Sequence, residues 1–306
     1  MDVAAPRSSA RPVPAARRRA ARNGGLLLGP LMILPALVGV ALFQLLPLVT
    51  AVANSMLAFN PFDQSVTGWV GFDNYVEIFG DPVFRYVLFN TFLYIALMLV
   101  LTIPLALLLA VLLDQRLPGT TWTRNAIVAA LAASEAVTAI IWAQMYEPGT
   151  GLFNAILTAM GLPSQPFLTS SDQALVSIVA MTVWKDVGLP MLIFLAGLQA
   201  IPHETYEAAR LDGANSRQIF WYITLPQLRP SMIVALFMLT ITASRIFGAV
   251  VIMTQGGPRS STTNLAVFSY QLGFEFQSPG LASASVVCLL AVLGVITVAQ
   301  AFMLRD

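Results

Sequence analysis

The 306 residues contain one cysteine, Cys288, and one histidine, His203. A chain so poor in both cannot assemble the three or four Cys and His ligands of a structural or catalytic metal site, so no metal is expected. Cys288 lies among Val286, Val287, Leu289 and Leu290, the setting of a small buried or lipid-facing residue and not of an activated thiolate. A GxxxxGK[ST] phosphate loop is missing, so any use of ATP falls to a separate subunit. Charge is scarce as well. Only 10% of residues are charged and 57% are hydrophobic, against roughly 25% charged in a soluble domain. With a mean hydropathy of +0.77, the chain belongs in a bilayer.

What is abundant is apolar sequence in long runs. A membrane-crossing helix needs about 20 such residues, and runs of that length fall near residues 26–55, 86–113, 124–146, 174–200, 230–253 and 281–304. The alternating pattern of a membrane barrel is absent, so six helices with closed backbone hydrogen bonding are expected. Prolines 30, 35, 47, 104 and 190 fall inside these runs and are tolerated where neighbouring helices or water satisfy the freed carbonyls. No internal inverted repeat of the kind found in many secondary transporters stands out.

Arginine placement sets the orientation. Arg7, Arg11, Arg17, Arg18, Arg19 and Arg22 precede the first span. Arg116 and Arg124 bound the second connection, Arg210, Arg217 and Arg229 lie in the fourth, and Arg305 follows the last span. The other connections hold only Arg85 and Arg259. Because basic loops stay in the cytoplasm, both termini and the fourth connection are expected there. Residues 1–25 read as a disordered, Arg-rich cytoplasmic tail. Their Arg, Ala, Ser and Pro content also fits an organellar transit peptide, while the first apolar run is too long for a removable signal peptide.

The fourth connection, HETYEAARLDGANSRQIFWYITLP at 203–226, is too long for a tight turn between spans. Pro202 suits a first helical position, Glu204 and Glu207 favour the first turns, and Ala208, Ala209 and Leu211 propagate a helix. Asp212-Gly213 breaks it, since glycine takes a left-handed cap without steric cost. Asn215 or Ser216 then caps a second helix that Pro226 ends. A two-helix knuckle at the membrane surface is expected, with Phe220, Trp221 and Tyr222 as interfacial aromatics.

Glu207-Ala208-Ala209, Gly213, Ile223, Leu225 and Pro226 match the EAA-x3-G-x9-I-x-LP signature at every position, about 90 residues from the C-terminus. The chain therefore resembles the permease subunits of binding-protein-dependent ABC importers. Trp184-Lys185 with Pro190, the run Ala196 to Pro202, and Thr254-Gln255-Gly256-Gly257-Pro258 resemble the carbohydrate-uptake branch, the maltose and glycerol-phosphate type of inner-membrane component. The likeness covers most of residues 26–306. It implies an all-α integral membrane protein, six transmembrane helices with a cytoplasmic coupling-helix loop between the fourth and fifth. It also implies a transport subunit and not an enzyme. ATP and Mg would sit on two partner ATPase subunits, beside a second, related permease chain, an external solute-binding protein and membrane lipid. No nucleic-acid partner is expected. Glu207 would meet a basic residue of the ATPase, with Ala208, Ala209 and Gly213 keeping the surface small.

Charges inside apolar spans are functional hypotheses by default, and Glu135, Lys185, Asp186 and Arg245 are of that kind. They read equally as structural pairs, Glu135 with Lys185 or Arg245, and as solute contacts. Glu135, Thr138 and Trp142 share one helical face beside a small-residue stripe of Ala132, Ala136, Ala139 and Ala143. Trp142 and Trp184 suit sugar stacking or a helix seam. Gly256, Gly257 and Pro258 supply an external bend followed by a hydroxyl and amide surface from Ser260 to Asn264, near the external mouth by resemblance. One departure stands out. Many carbohydrate permeases carry an acidic or amide residue after the Phe matching Phe247, where this chain has Gly248. The rival readings are an ion-coupled carrier using Glu135 and Asp186, and a membrane-embedded enzyme using those carboxylates as acid and base.

Overall fold

The computed structural model describes residues 32–115 and 118–303. The expected tail at 1–25, the opening of the first span at 26–31, Arg116 and Arg305 lie outside the described residues. The chain divides into two compact units, residues up to Ala53 and residues from Asn54 onward.

The described part of the first unit is one helix, α1 (Met32–Asn54), apolar on every side as a membrane helix is. It widens to a π turn at Ala41–Leu45. The ring of Pro47 would clash with the carbonyl one turn back in a regular helix, and the wider turn just before it relieves that clash.

The second unit opens with elements the apolar runs do not announce. Strands β1 (Leu57–Phe59) and β2 (Val66–Trp69) form an antiparallel hairpin with Leu57 opposite Trp69 and a bulge between Ala58 and Phe59. In its turn Asp63 accepts from the Ser65 backbone N at 3.0 Å and the Ser65 Oγ at 2.7 Å, bonds that hold its carboxyl below the usual carboxylate range. The all-α expectation is thus corrected by one small hairpin, whose strands are too short for a period of two to stand out. Helix α2 (Asp73–Gly80) follows, and then α3 (Pro82–Asp114), 33 residues long. Asp81 caps α3 by accepting from Val83 N at 2.8 Å, with Pro82 at the first position where no N–H is needed.

Beyond α3 come α4 (Thr120–Ala132), α5 (Glu135–Met145), α6 (Leu152–Ala159), α7 (Ala174–Asp186) and α8 (Gly188–Ala200). After them run α9 (His203–Leu211), α10 (Ser216–Gln227), α11 (Arg229–Ser244), α12 (Gly248–Thr254), α13 (Leu265–Tyr270) and α14 (Pro279–Met303). Among the described residues, α1, α3 and α14 are each long and apolar enough to cross a membrane. Up to six crossings result if each bent pair counts as one, namely α4 with α5 (103°), α7 with α8 (46°) and α10 with α11 (63°).

These bends correct three expected spans. The run 124–146 is two helices, because Ala133 and Ser134 adopt extended backbone, with ψ of 136° and 133°. The alanine stripe is split with it, Ala132 ending α4 while Ala136, Ala139 and Ala143 lie on α5. The run 174–200 bends where Pro190 falls in the first turn of α8, a place where its missing N–H costs no intrahelical bond. The run 230–253 is interrupted between Ser244 and Gly248, and the apolar pair reaching it begins earlier, at Ser216.

Three apolar clusters hold the second unit together, around Tyr94, Ile178 and Met181, around Met191, Phe194 and Leu228, and around Phe84, Leu265 and Phe268. In the second cluster α8 meets α11 at Gly197. A Cβ there would collide with Ser231 Oγ and come within 2.9 Å of Leu228 Cδ2. Gly197→Val is expected to overpack this seam by about 1–3 kcal/mol. The readout is a lowered thermal midpoint of the purified chain in detergent, and an unchanged midpoint would remove close approach as the reason for this glycine.

Candidate functional site

The knuckle is built as a rigid projection. Pro202 is the residue before α9 and not its first residue, with extended ψ of 135°. Asp212 closes the helix through its N–H to Ala208 O, and Gly213 follows at φ +82°. Nothing lies within 4 Å of a Cβ added at Gly213, so the position needs glycine for its backbone and not for space. Asn215 starts α10 with a full capping box, its side chain accepting from Gln218 N at 2.9 Å while Gln218 Oε1 accepts from Asn215 N at 2.9 Å.

Pro226 does not end the second helix. A π turn at Phe220–Thr224 precedes it, and the chain continues through Leu225–Gln227 into α11. This is the device seen before Pro47, a widened turn that admits the ring. Thr224 Oγ1 lies 3.3 Å from Tyr206 Oη and ties α10 to α9.

On α9, Glu207 and Ala208 are exposed, whereas Ala209 is buried and packs inward. Leu211, one turn beyond Glu207, is 89% exposed. A large aliphatic side chain left this open beside Glu207 and Ala208 makes a stripe suited to a partner. Sequence reasoning valued Leu211 only as a helix former. Ile223 and Leu225 are half-buried and Pro226 is exposed.

The second arrangement lies at the breaks between helices. Glu135, Lys185, Asp186 and Arg245 line one cavity of about 240 Å³, with Thr182, Thr242 and apolar walls from Met181, Ile246 and Ala249. The pairing within it differs from expectation. Lys185 Nζ meets its neighbour Asp186 Oδ1 at 3.1 Å, the one ion pair among the described residues. Glu135 pairs with neither cation. Its Oε1 accepts from Ala249 N at 2.9 Å, a side-chain cap delivered from α5 to the free N–H groups at the start of α12. Gly248 makes this possible, since a Cβ there would come within 3.2 Å of the same oxygen.

Trp142 and Trp184 do not line the charged cavity. Their rings face each other at 5.6 Å, and Trp142 also meets Tyr146 at 5.7 Å and Phe153 at 5.6 Å. They line two separate, apolar hollows, so the helix-seam reading describes their contacts.

The bend at Gly256, Gly257 and Pro258 is also turned inward. Thr262, Thr263 and Asn264 are buried, which corrects the expected hydroxyl and amide surface. Thr263 Oγ1 donates to Gly256 O at 2.9 Å, Thr262 Oγ1 to Gly257 O at 3.0 Å, and Asn264 Nδ2 to Ile246 O at 2.8 Å. The Gly257–Pro258 peptide is cis. From α3, Asn90 Nδ2 donates to Ser260 O at 2.9 Å and Thr263 O at 3.1 Å, while Thr91 Oγ1 accepts from Leu265 N at 2.9 Å. Asn90→Ala would leave Thr263 O unpaired, at a cost of about 1–3 kcal/mol, and would leave Ser260 O with only its bond from Thr263 N at 3.2 Å. Tryptic cleavage after Arg259 is expected to accelerate several-fold in this variant. An unchanged rate would show that Asn90 does not hold the loop.

Residues 78–305 match the family described as binding-protein-dependent transport system inner membrane component. The chain belongs to this family. It is similar to a probable ABC transporter permease protein of Bacillus subtilis (strain 168), 33% identical over 285 residues, covering 92% of this chain and 96% of that one. It is likewise similar to the trehalose/maltose transport system permease protein of Thermococcus litoralis, 35% identical over 260 residues, with 84% and 86% covered. A third relative is the sulfoquinovosyl glycerol transport system permease protein of Agrobacterium fabrum, 34% identical over 272 residues, with 88% and 87% covered. In fold it resembles a chain of the bacterial alginate ABC transporter crystallised with an alginate pentasaccharide-bound periplasmic protein. The TM-score is 0.79 at 23% identity, over 94% of this chain and 96% of that one.

As an inner-membrane transport component the chain is not an enzyme, and the carboxylate-enzyme and ion-coupled-carrier readings are set aside. Asn90 and Thr91 of this component escaped sequence reasoning because they sit inside an apolar run. Two adjacent polar residues there, Asn90-Thr91, were the available signal.

Proposed function

We propose that the chain is one of two permease subunits of an ATP-driven importer, forming half of the pathway for a sugar or sugar-derived solute. The observation that carries this reading is the exposed Glu207, Ala208 and Leu211 stripe on a helix fixed by a left-handed Gly213 and a capping box. A rigid exposed helix end suits transmission of motion from a motor, since a flexible loop would absorb it. Two ATPase subunits carrying ATP and Mg would dock beneath, at Glu207, Ala208 and Gly213. Ala209, Ile223 and Leu225 would hold the knuckle against the spans, with Pro226 exposed where the chain runs on towards α11. A related, non-identical permease would complete the pathway, and an external binding protein would deliver solute near Gly256, Gly257 and Pro258. Residues 26–306 would form the six-span permease domain in a bacterial-type inner membrane, with both termini and the knuckle cytoplasmic. Relatives named for trehalose/maltose and sulfoquinovosyl glycerol transport support the solute class.

In this reading Glu135, Lys185, Asp186 and Arg245 face the solute path, and Trp142 and Trp184 brace its wall. The test is reconstitution with and without the ATPase subunits. Solute uptake is expected only with ATPase and ATP inside the coupling arrangement. Uptake by this chain without any ATPase, or a protease tag in the knuckle cut from outside intact cells, would overturn the proposal.

A further inference from the structure

We propose that Arg245 makes the cavity selective for an anionic group on the solute, so that the cargo is a sugar derivative bearing a carboxylate, sulfate, sulfonate or phosphate. The inference rests on the permease reading above and adds the charge class of the solute.

Four charged side chains line the cavity. Asp186 is engaged by Lys185, the chain's one lysine, at 3.1 Å. Glu135 is engaged by Ala249 N at 2.9 Å and faces the positive end of α12. Two carboxylates and one ammonium are therefore satisfied within the chain. Arg245 remains. Its backbone N–H closes α11 on Thr242 O at 3.2 Å, while its guanidinium pairs with no carboxylate among the described residues. A guanidinium presents donors in a planar fork that matches the oxygens of carboxylate, sulfate or phosphate, and it stays protonated at every relevant pH.

A second observation points the same way. Tyr94 is 1% exposed and packs in the same cluster as the cavity walls Met181, Ile246 and Ala249. Its hydroxyl interacts with the Thr182 side chain of the cavity wall and has no other hydrogen-bond partner among the described residues. A phenol hydroxyl behind the Thr182 wall and a guanidinium without an acidic partner are both donors, and two donors suit an oxyanion better than an uncharged hydroxyl. The volume, about 240 Å³, equals roughly eight water molecules at their liquid share. That is room for one charged group and part of a ring, with the partner permease supplying the remaining wall.

The test uses the assembled transporter in phosphatidylcholine vesicles. Arginines are labelled with phenylglyoxal and modification at Arg245 is read by mass spectrometry, with glucose, glucuronate, glucose 6-sulfate and glucose 6-phosphate as protectants. At least one anionic sugar is expected to slow labelling of Arg245 several-fold more than glucose does. Equal protection by all four, or none, overturns the proposal. So does protection that appears only when phosphatidylglycerol is added, which would assign the site to a lipid headgroup. A second measurement identifies by mass spectrometry the solute that copurifies with the binding protein. An acidic solute is expected, with its uptake reduced at least tenfold by Arg245→Gln and partly restored by Arg245→Lys. A neutral solute moved in an ATP-dependent manner would sink this inference while leaving the permease reading intact. Loss of all ATP dependence in the wild type would instead sink that reading.

Discussion

Replacing Glu207 with arginine is expected to lower ATP-driven uptake at least about 30-fold while leaving the chain folded and inserted. Glu207 is exposed on α9 and its side chain makes no ion pair or hydrogen bond among the described residues, and exposed substitutions usually change stability by less than about 0.5 kcal/mol. The cost falls on docking. Removing one member of a desolvated interface charge pair costs about 2–5 kcal/mol, and reversing its sign adds repulsion. At about 1.4 kcal/mol per decade, the lower bound is already a factor of roughly 30. Copurification of the ATPase and the solute-stimulated hydrolysis rate are the measurements, with the thermal midpoint as control. Wild-type coupling in this variant would remove the knuckle from the motor interface. Gly213→Val acts at the same element through the backbone, since φ of +82° is strongly disfavoured for a β-branched residue.

Gly248→Asp is expected to lower uptake about tenfold or more, and Glu135→Gln is expected to restore part of it in the double variant. The new Cβ would stand 3.2 Å from Glu135 Oε1, placing a second carboxylate where one already caps α12. Two carboxylates in contact cannot both stay ionised without a large penalty, so either one takes up a proton or Glu135 leaves Ala249 N and the start of α12 loosens. A glutamine at 135 keeps a carbonyl for the Ala249 N–H and gains an amide donor for the new acid. Initial uptake rates for the wild type, both single variants and the double variant form the test. Independent, additive losses would mean that the two positions are not coupled through this contact. The same geometry gives the departure at Gly248 a physical sense. The space a side chain at 248 would enter is occupied by the Glu135 carboxylate reaching over from α5.

Much of the knuckle was legible in the residues because its signals are local. Asp212-Gly213 dictates a break and Asn215 with Gln218 dictates a cap through bonds spanning three residues. The apolar runs likewise announced long helices, since a bilayer leaves the backbone little alternative. The breaks within those runs were not legible. Ala133-Ser134 carries no proline or glycine, and its kink is held by Glu135 reaching a helix 114 positions away. Pro226 misled because a proline stops a regular helix, whereas a π turn ahead of it lets the chain continue.

The sequence by itself determined that this is an apolar, helical membrane protein, and it determined the break and the cap of the two-helix knuckle. Composition and short-range backbone chemistry suffice for both. The tertiary structure alone decided which charges satisfy one another: Lys185 with Asp186, Glu135 with the start of α12, and Arg245 with no acidic partner among the described residues. Pairing across helices depends on angles and distances between elements, and no spacing along the chain encodes those.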